Sequence, residues 1–184
     1  MIAYRVFPYL PSAAADQPGG ALYVPPGGKN RADSPNGSYR CLYLGDSASG
    51  SIAESFGRFA TWDRTLIEAE PALPTLPGTR FALAEYEIGE NACDLDDAQQ
   101  LVDLHLRPSD VVTRDRTVTQ RWASLLHATG RYSGVAWWSY YDAGWKSLAI
   151  WDTRSITIAS PPRVLSISDS DVLRAASIIV RRLS

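Results

Sequence analysis

The stretch Gly134-Val135-Ala136-Trp137-Trp138-Ser139-Tyr140-Tyr141-Asp142-Ala143-Gly144-Trp145-Lys146-Ser147-Leu148-Ala149-Ile150-Trp151 decides the fold class. It sets two apolar runs, Gly134 to Tyr141 and Ser147 to Trp151, on either side of Asp142-Ala143-Gly144, the composition of two strands joined by a tight turn. No helix fits between them, which breaks the regular strand–helix alternation of a doubly wound parallel sheet and makes α+β the better class. Just upstream, Thr117-x-x-Gln120 has the form of a capping box. Val118, Trp122, Leu125 and Leu126 follow it at helical spacing, and Thr129-Gly130 is the expected end.

The same reading extends to both ends of the chain. Ala3 to Phe7 reads as a strand stopped by Pro8, and Arg40 to Leu44 as a second. Between them, Gln17 to Ser38 is so rich in Gly and Pro that an irregular excursion is expected. Asp46 and Ser47 can cap a helix over roughly Ala48 to Phe59, with Ile52, Phe56, Phe59 and Ala60 as its buried stripe. Arg80 to Ile88 reads as a strand, and Asp96 opens a short helix. The last expected elements are a strand near Arg163 to Ile167 and a helix capped by Ser168 and Asp169. The order predicts an α+β fold. We expect one compact domain over residues 1–184, with its motifs within about 4–152 and a C-terminal strand and helix at about 163–182.

Composition narrows the function. The chain has 184 residues with net charge −2, and no Lys/Arg run is longer than Arg181-Arg182, so it lacks the basic footprint that nucleic-acid binding requires. No apolar run approaches a membrane span and the start does not resemble a signal peptide, which predicts a cytoplasmic protein without a membrane partner. Cys41 and Cys93 are expected as two free thiols. Together with His105 and His127 they form no metal-binding spacing, so no metal site is expected. Gly45-Asp46-Ser47-Ala48-Ser49 lacks the final Gly of a nucleophile elbow, and Gly27-Gly28-Lys29-Asn30 lacks the spacing of a phosphate loop. The acidic group Asp94, Asp96, Asp97 and Asp103 suits a helix N-terminus. His105 and His127 sit among leucines and read as packing residues.

Several polar residues in apolar settings remain: Arg5 beside Val6 and Phe7, Tyr43 between Leu42 and Leu44, and Ser139 after two tryptophans. Glu54 falls opposite the Ile52 stripe, facing solvent by periodicity alone. Taken in order, these residues resemble the motifs of the RES family. Tyr4-Arg5-Val6 resembles the family's opening, and Gly27-Gly28-Lys29-Asn30-Arg31-Ala32-Asp33-Ser34-Pro35 its Gly-rich segment. Leu42-Tyr43-Leu44 resembles the Tyr strand, Ile52 to Gly57 the Glu helix, and Gly134 to Ser139 the Ser strand. The Gly-rich segment departs from many relatives at Ala32 and Ser34.

The resemblance implies a fold similar to ADP-ribosyltransferases and cleavage of the nicotinamide–ribose bond of NAD, with water or inorganic phosphate as acceptor. It also implies a bacterial toxin neutralised by a helix-turn-helix antitoxin, and a homodimer is left open. NAD is then a substrate, and no cofactor is implied. Glu54, Arg31 and Tyr43 are the expected catalytic residues: a carboxylate to stabilise an oxocarbenium-like ribose, a guanidinium fork for phosphate and an aromatic wall. Arg5, Ser139 and Trp138 are the expected substrate-binding residues, with Tyr140 as another wall. Two alternatives use the same grip: transfer of ADP-ribose to a specific protein, and a module that binds NAD or ADP-ribose without cleaving it.

Overall fold

Strand β1 (Ile2–Tyr9) is followed by the irregular excursion, then β2 (Leu42–Gly45), α1 (Ala48–Phe56), β3 (Thr61–Trp62) and α2 (Arg64–Ile67) in this computed structural model, which describes residues 1–71, 76–89, 91–151 and 153–184. β4 (Arg80–Glu87), β5 (Ala92–Asp94), α3 (Ala98–Asp103), α4 (Pro108–Val112) and α5 (Arg116–Ala128) come next. The chain closes with β6 (Gly134–Trp138), β7 (Lys146–Ile150), β8 (Thr157–Val164), α6 (Ser170–Ile178) and β9 (Arg182–Leu183). Among the described residues seven strands form one sheet in the order β5-β6-β7-β2-β1-β4-β8, and β3 pairs with β9 in a small parallel sheet. Among the described residues only β5 and β6 run parallel in the large sheet. This is the α+β class that the β6–β7 pair announces.

That pair forms the expected hairpin, from Gly134 opposite Ile150 to Trp138 opposite Lys146. Its turn closes when Gly144 N–H donates to Asp142 Oδ1 at 2.7 Å and Trp145 N–H to the Asp142 carbonyl at 3.1 Å. β1 pairs with β4 along eight positions but with β2 at only one, Tyr4 opposite Gly45. The sheet is therefore split at its centre, and the site lies in that gap.

Alternation along the strands sends side chains to two faces. One face, with Ala3, Phe7, Leu42, Leu44, Ala136 and Leu148, is covered by Ala21, Leu22 and Val24 of the irregular segment. On the other face α1 and α6 pack over Leu83 with Val6 beside them, while α5 and its neighbours cover Val135, Trp137 and Ala149. A groove remains between these two helical groups.

Some boundaries differ from the sequence expectations for physical reasons. Helix α1 ends at Phe56, and Phe59 and Ala60 lie exposed beyond it. The N-cap of α5 is Asp115, whose side chain accepts from Thr117 N–H, so Thr117 is already helical. Val118 and Leu125 are exposed, because the face turned inward is Thr119, Trp122, Ala123 and Leu126. The C-terminal strand starts at Thr157 and runs through Pro161-Pro162, which a sheet interior would not accept but an edge strand does. Residue 152, the expected limit of the motif-bearing part, lies outside the described residues. His105 is exposed rather than packed, whereas His127 stacks on Tyr39 with ring centroids 4.1 Å apart. Cys41 and Cys93 are free and buried. Among the described residues no helix is long and apolar enough to cross a membrane.

Candidate active site

The split between β1 and β2 opens into a cavity of about 400 Å³ lined by Tyr4, Val6, Tyr43 and Trp137 on the sheet side, and by Ser51, Glu54 and Ser55 on α1. Asn30, Arg31, Arg116 and Ser147 complete its rim and floor. Helix α1 reaches the gap because Ser47 caps it, accepting from Gly50 N–H at 3.0 Å, and because Ser51 Oγ donates to the Tyr4 carbonyl at 3.0 Å. Gly45 permits this approach: a Cβ there would fall 2.5 Å from Ser51 Oγ. Glu54, one turn further along, is exposed as its periodicity indicates, and the solvent it meets is that of the cleft.

Ser139, the residue after β6, is buried with its Oγ donating to Glu54 Oε1 at 2.5 Å. Ser147 Oγ donates to the same oxygen at 3.4 Å. One carboxylate oxygen is thus held by two hydroxyls, which fixes the rotamer of an otherwise mobile side chain. Tyr141 N–H in turn donates to Ser139 Oγ at 3.1 Å, so the hydroxyl itself is oriented.

Arg31 is presented by the Gly-rich segment, and Asp33 organises that segment. The Asp33 Oδ2 accepts from the backbone N–H groups of Gly28, Lys29 and Asn30 at 2.8, 3.0 and 2.7 Å, while Oδ1 accepts from Tyr43 Oη at 2.8 Å. Gln120 Nε2 on α5 donates to the Gly28 and Asn30 carbonyls at 3.2 and 3.0 Å. Arg31 Nη1 then donates to the carbonyls of Val111 and Thr113, and its guanidinium lies 5.9 Å from the Trp137 ring. Burial, and next the like charge of Arg116, lower the Arg31 pKa from its ordinary value. Two guanidinium groups on one rim, each raising the potential felt by the other, suit an anionic ligand.

Tyr43 lines the cavity with its ring against Trp137 at 6.5 Å, edge to face. Its hydroxyl also accepts from Ala32 N–H at 2.9 Å. Burial, reinforced by the neighbouring Cys41 and Asp33, raises its pKa well above the ordinary phenol value. Tyr43 therefore stays neutral, as a wall and a strut for the Arg31 segment.

Arg5 stands apart from the other sequence candidates. It belongs to the covered face and lines the cavity only through the split. Its Nη1 donates to the carbonyls of Ala21 and Tyr23 at 3.2 and 3.0 Å, anchoring the irregular segment, and burial lowers its pKa. Trp138 does not line the cavity, and neither does Tyr140, which is largely exposed. Successive strand residues point to opposite faces, so the aromatic wall is Trp137. Sequence reasoning also missed Arg116, Ser51 and Ser147, and quoted Tyr4 only as part of a motif without a role at the site. Arg116 precedes the predicted capping box and enters the first turn of α5 only because the N-cap is Asp115. Among the described residues no cluster of His, Cys, Asp or Glu could hold a metal ion.

Fold and site together define an α+β domain with a split sheet, a serine-held carboxylate on one side of the gap and arginines on the other. The RES domain model matches residues 2–170, so the chain belongs to the RES domain family. A chain in the crystal structure of the M. tuberculosis MbcT–MbcA toxin–antitoxin complex has the same fold: TM-score 0.54, 18% identity, covering 97% of this chain and 88% of that one. No curated protein sequence matches the chain.

Proposed function

We propose that the protein cleaves the nicotinamide–ribose bond of NAD, passing the ADP-ribosyl group to water or inorganic phosphate, and acts as the cytoplasmic toxin of a toxin–antitoxin pair. The observation that carries this reading is the Glu54 carboxylate held on Ser139 across the cleft from Arg31 and Arg116. Cleavage sends the bonding electron pair to the nicotinamide nitrogen and leaves positive charge on the ribose. A fixed carboxylate stabilises that charge where it develops. Water then adds its oxygen to the ribose carbon and releases a proton, or phosphate adds through one of its oxygens.

Arg31 and Arg116 supply charge for the pyrophosphate, which a planar fork can hold bidentately. Trp137 and Tyr43 supply flat surfaces for the nicotinamide ring. The likeness to a chain of a toxin–antitoxin complex supports a protein antitoxin as partner, with a helix-turn-helix protein as the form the family resemblance suggests.

The test is mass spectrometry of the purified protein incubated with NAD, with and without phosphate. Free nicotinamide with ADP-ribose identifies hydrolysis, and the 1″-phosphate of ADP-ribose identifies phosphorolysis. Release that appears only with added cell protein, with label on a polypeptide, replaces this reading with protein ADP-ribosylation. Binding of intact NAD without release under any condition overturns catalysis.

A further inference from the structure

Val180 has φ 54° and is 84% exposed. Left-handed backbone is costly for a β-branched residue and persists only where the surroundings impose it. The neighbouring residue imposes it here. Arg181 turns back beneath α1, its Nε and Nη2 donating to the Gly57 carbonyl at 2.9 and 2.6 Å and its Nη1 to the Ile179 carbonyl at 2.8 Å. Its own N–H donates to the Ala176 carbonyl at 2.7 Å. β9 then pairs beside β3, and Arg182 N–H and Ser184 N–H donate to the carbonyls of Ala60 and Trp62, both at 3.1 Å.

Gly57 follows α1 directly, three residues after Glu54. Its carbonyl lies at a helix end, where carbonyls lack intrahelical donors and a cation complements the dipole. Tyr141 packs on the same glycine. A Cβ on Gly57 would fall 2.4 Å from Tyr141 Cζ and 2.5 Å from the Ala53 carbonyl oxygen, so the ring rests on bare backbone. Tyr141 is also the residue whose N–H holds Ser139 Oγ. The end of α1 is therefore in contact with both a C-terminal guanidinium and the turn that carries the partner of Glu54.

We propose that the C-terminal segment is a clasp on α1 and that Arg181 is a positioning residue, holding Gly57 against Tyr141 so that the Glu54 carboxylate stays seated on Ser139. This inference rests on the reading of Glu54 as the catalytic carboxylate. The clasp depends on two parallel donors from one planar group, which Lys cannot reproduce.

The experiment compares Arg181→Ala, Arg181→Lys and the control Arg182→Ala with the unaltered protein. Two readouts are taken: kcat and KM for nicotinamide release from NAD, and the Glu54 side-chain carboxyl 13C resonance without substrate, assigned by its loss in Glu54→Gln. Arg181→Ala is expected to lower kcat tenfold or more with KM within twofold, and to displace the resonance. Arg181→Lys falls between it and the unaltered protein on both readouts, and Arg182→Ala matches the unaltered protein. If Arg181→Ala does not fold, Arg181→Lys carries both readouts. A folded Arg181 variant with unaltered kcat and an unmoved resonance overturns the clasp, even where its melting temperature falls. If the unaltered protein releases no nicotinamide, the functional reading fails while the resonance still decides whether Arg181 positions Glu54.

Discussion

Ser139 Oγ donates to Glu54 Oε1 at 2.5 Å, joining residues 85 apart in the chain. The bond brings the end of β6 to helix α1 across the width of β7, and Ser147 Oγ reaches the same oxygen from β7 at 3.4 Å. Hydrogen bonds to charged groups contribute about 1.5–3 kcal/mol each. Ser139→Ala should therefore lower kcat for nicotinamide release by about ten- to a hundredfold if the bond matters chiefly in the transition state. Ser147 keeps the loss from being complete. Steady-state kinetics on the folded variant checks this, and an unchanged kcat would separate Ser139 from the chemistry.

Asp33 carries a heavier structural burden than its place in a loop suggests. It accepts three backbone N–H groups and the Tyr43 hydroxyl while almost fully buried. Asp33→Asn sets an NH2 group against these donors and should cost about 3 kcal/mol of stability, measured by urea unfolding. Because the same segment carries Arg31, KM for NAD should rise as well. A variant with the unaltered KM would show that Arg31 keeps its place without this anchor.

The β6–β7 hairpin was legible because turn chemistry and strand patterning are local and agree around Asp142 and Gly144. The inward face of α5 was not, since Val118 and Leu125 fit the apolar period while the tertiary context turned Thr119 and Ala123 inward instead. Periodicity turns Glu54 toward solvent, but it cannot show that the solvent fills a cleft or that Ser139 reaches the carboxylate. Trp137 and Trp138 differ only in strand parity, which sequence alone does not assign to a face. Arg116 and Arg31 meet only through packing of α5 on the Gly-rich segment, a contact without any local signature.

Burial of the two thiols should make the fold sensitive to alkali. Burial, with the charge of Asp33 nearby, pushes Cys41 up to about 12, and burial raises Cys93. A free thiol in the unfolded chain ionises near 8.5. Below about pH 8.5 both states are protonated and the full contribution to stability is present. Above it the unfolded state loses its proton first, so stability falls as pH rises toward the folded value. Urea unfolding between pH 8 and 11 should show this decline, about 1.4 kcal/mol per pH unit per thiol at most. Cys41→Ala should make the decline shallower by the share of that thiol. At pH 8 a thiol reagent should label neither cysteine in the native protein, and rapid native labelling would contradict their burial.

Val180 offers a test of whether the turn before Arg181 stores strain. Its left-handed φ costs an L-residue about 1–2 kcal/mol, and its side chain is almost fully exposed, so replacing it removes little packing. Asn tolerates this region better than Val and does not add the backbone entropy that Gly brings to the unfolded chain. Val180→Asn should therefore raise the unfolding free energy by about 1 kcal/mol. It should leave kcat unchanged, since the Arg181 hydrogen bonds to Gly57 persist. Val180→Ala keeps most of the strain and should gain less. A stability order with Asn below Ala would mean that the turn is not strained at this residue, and that the path of the C-terminal segment is set by β9 pairing alone.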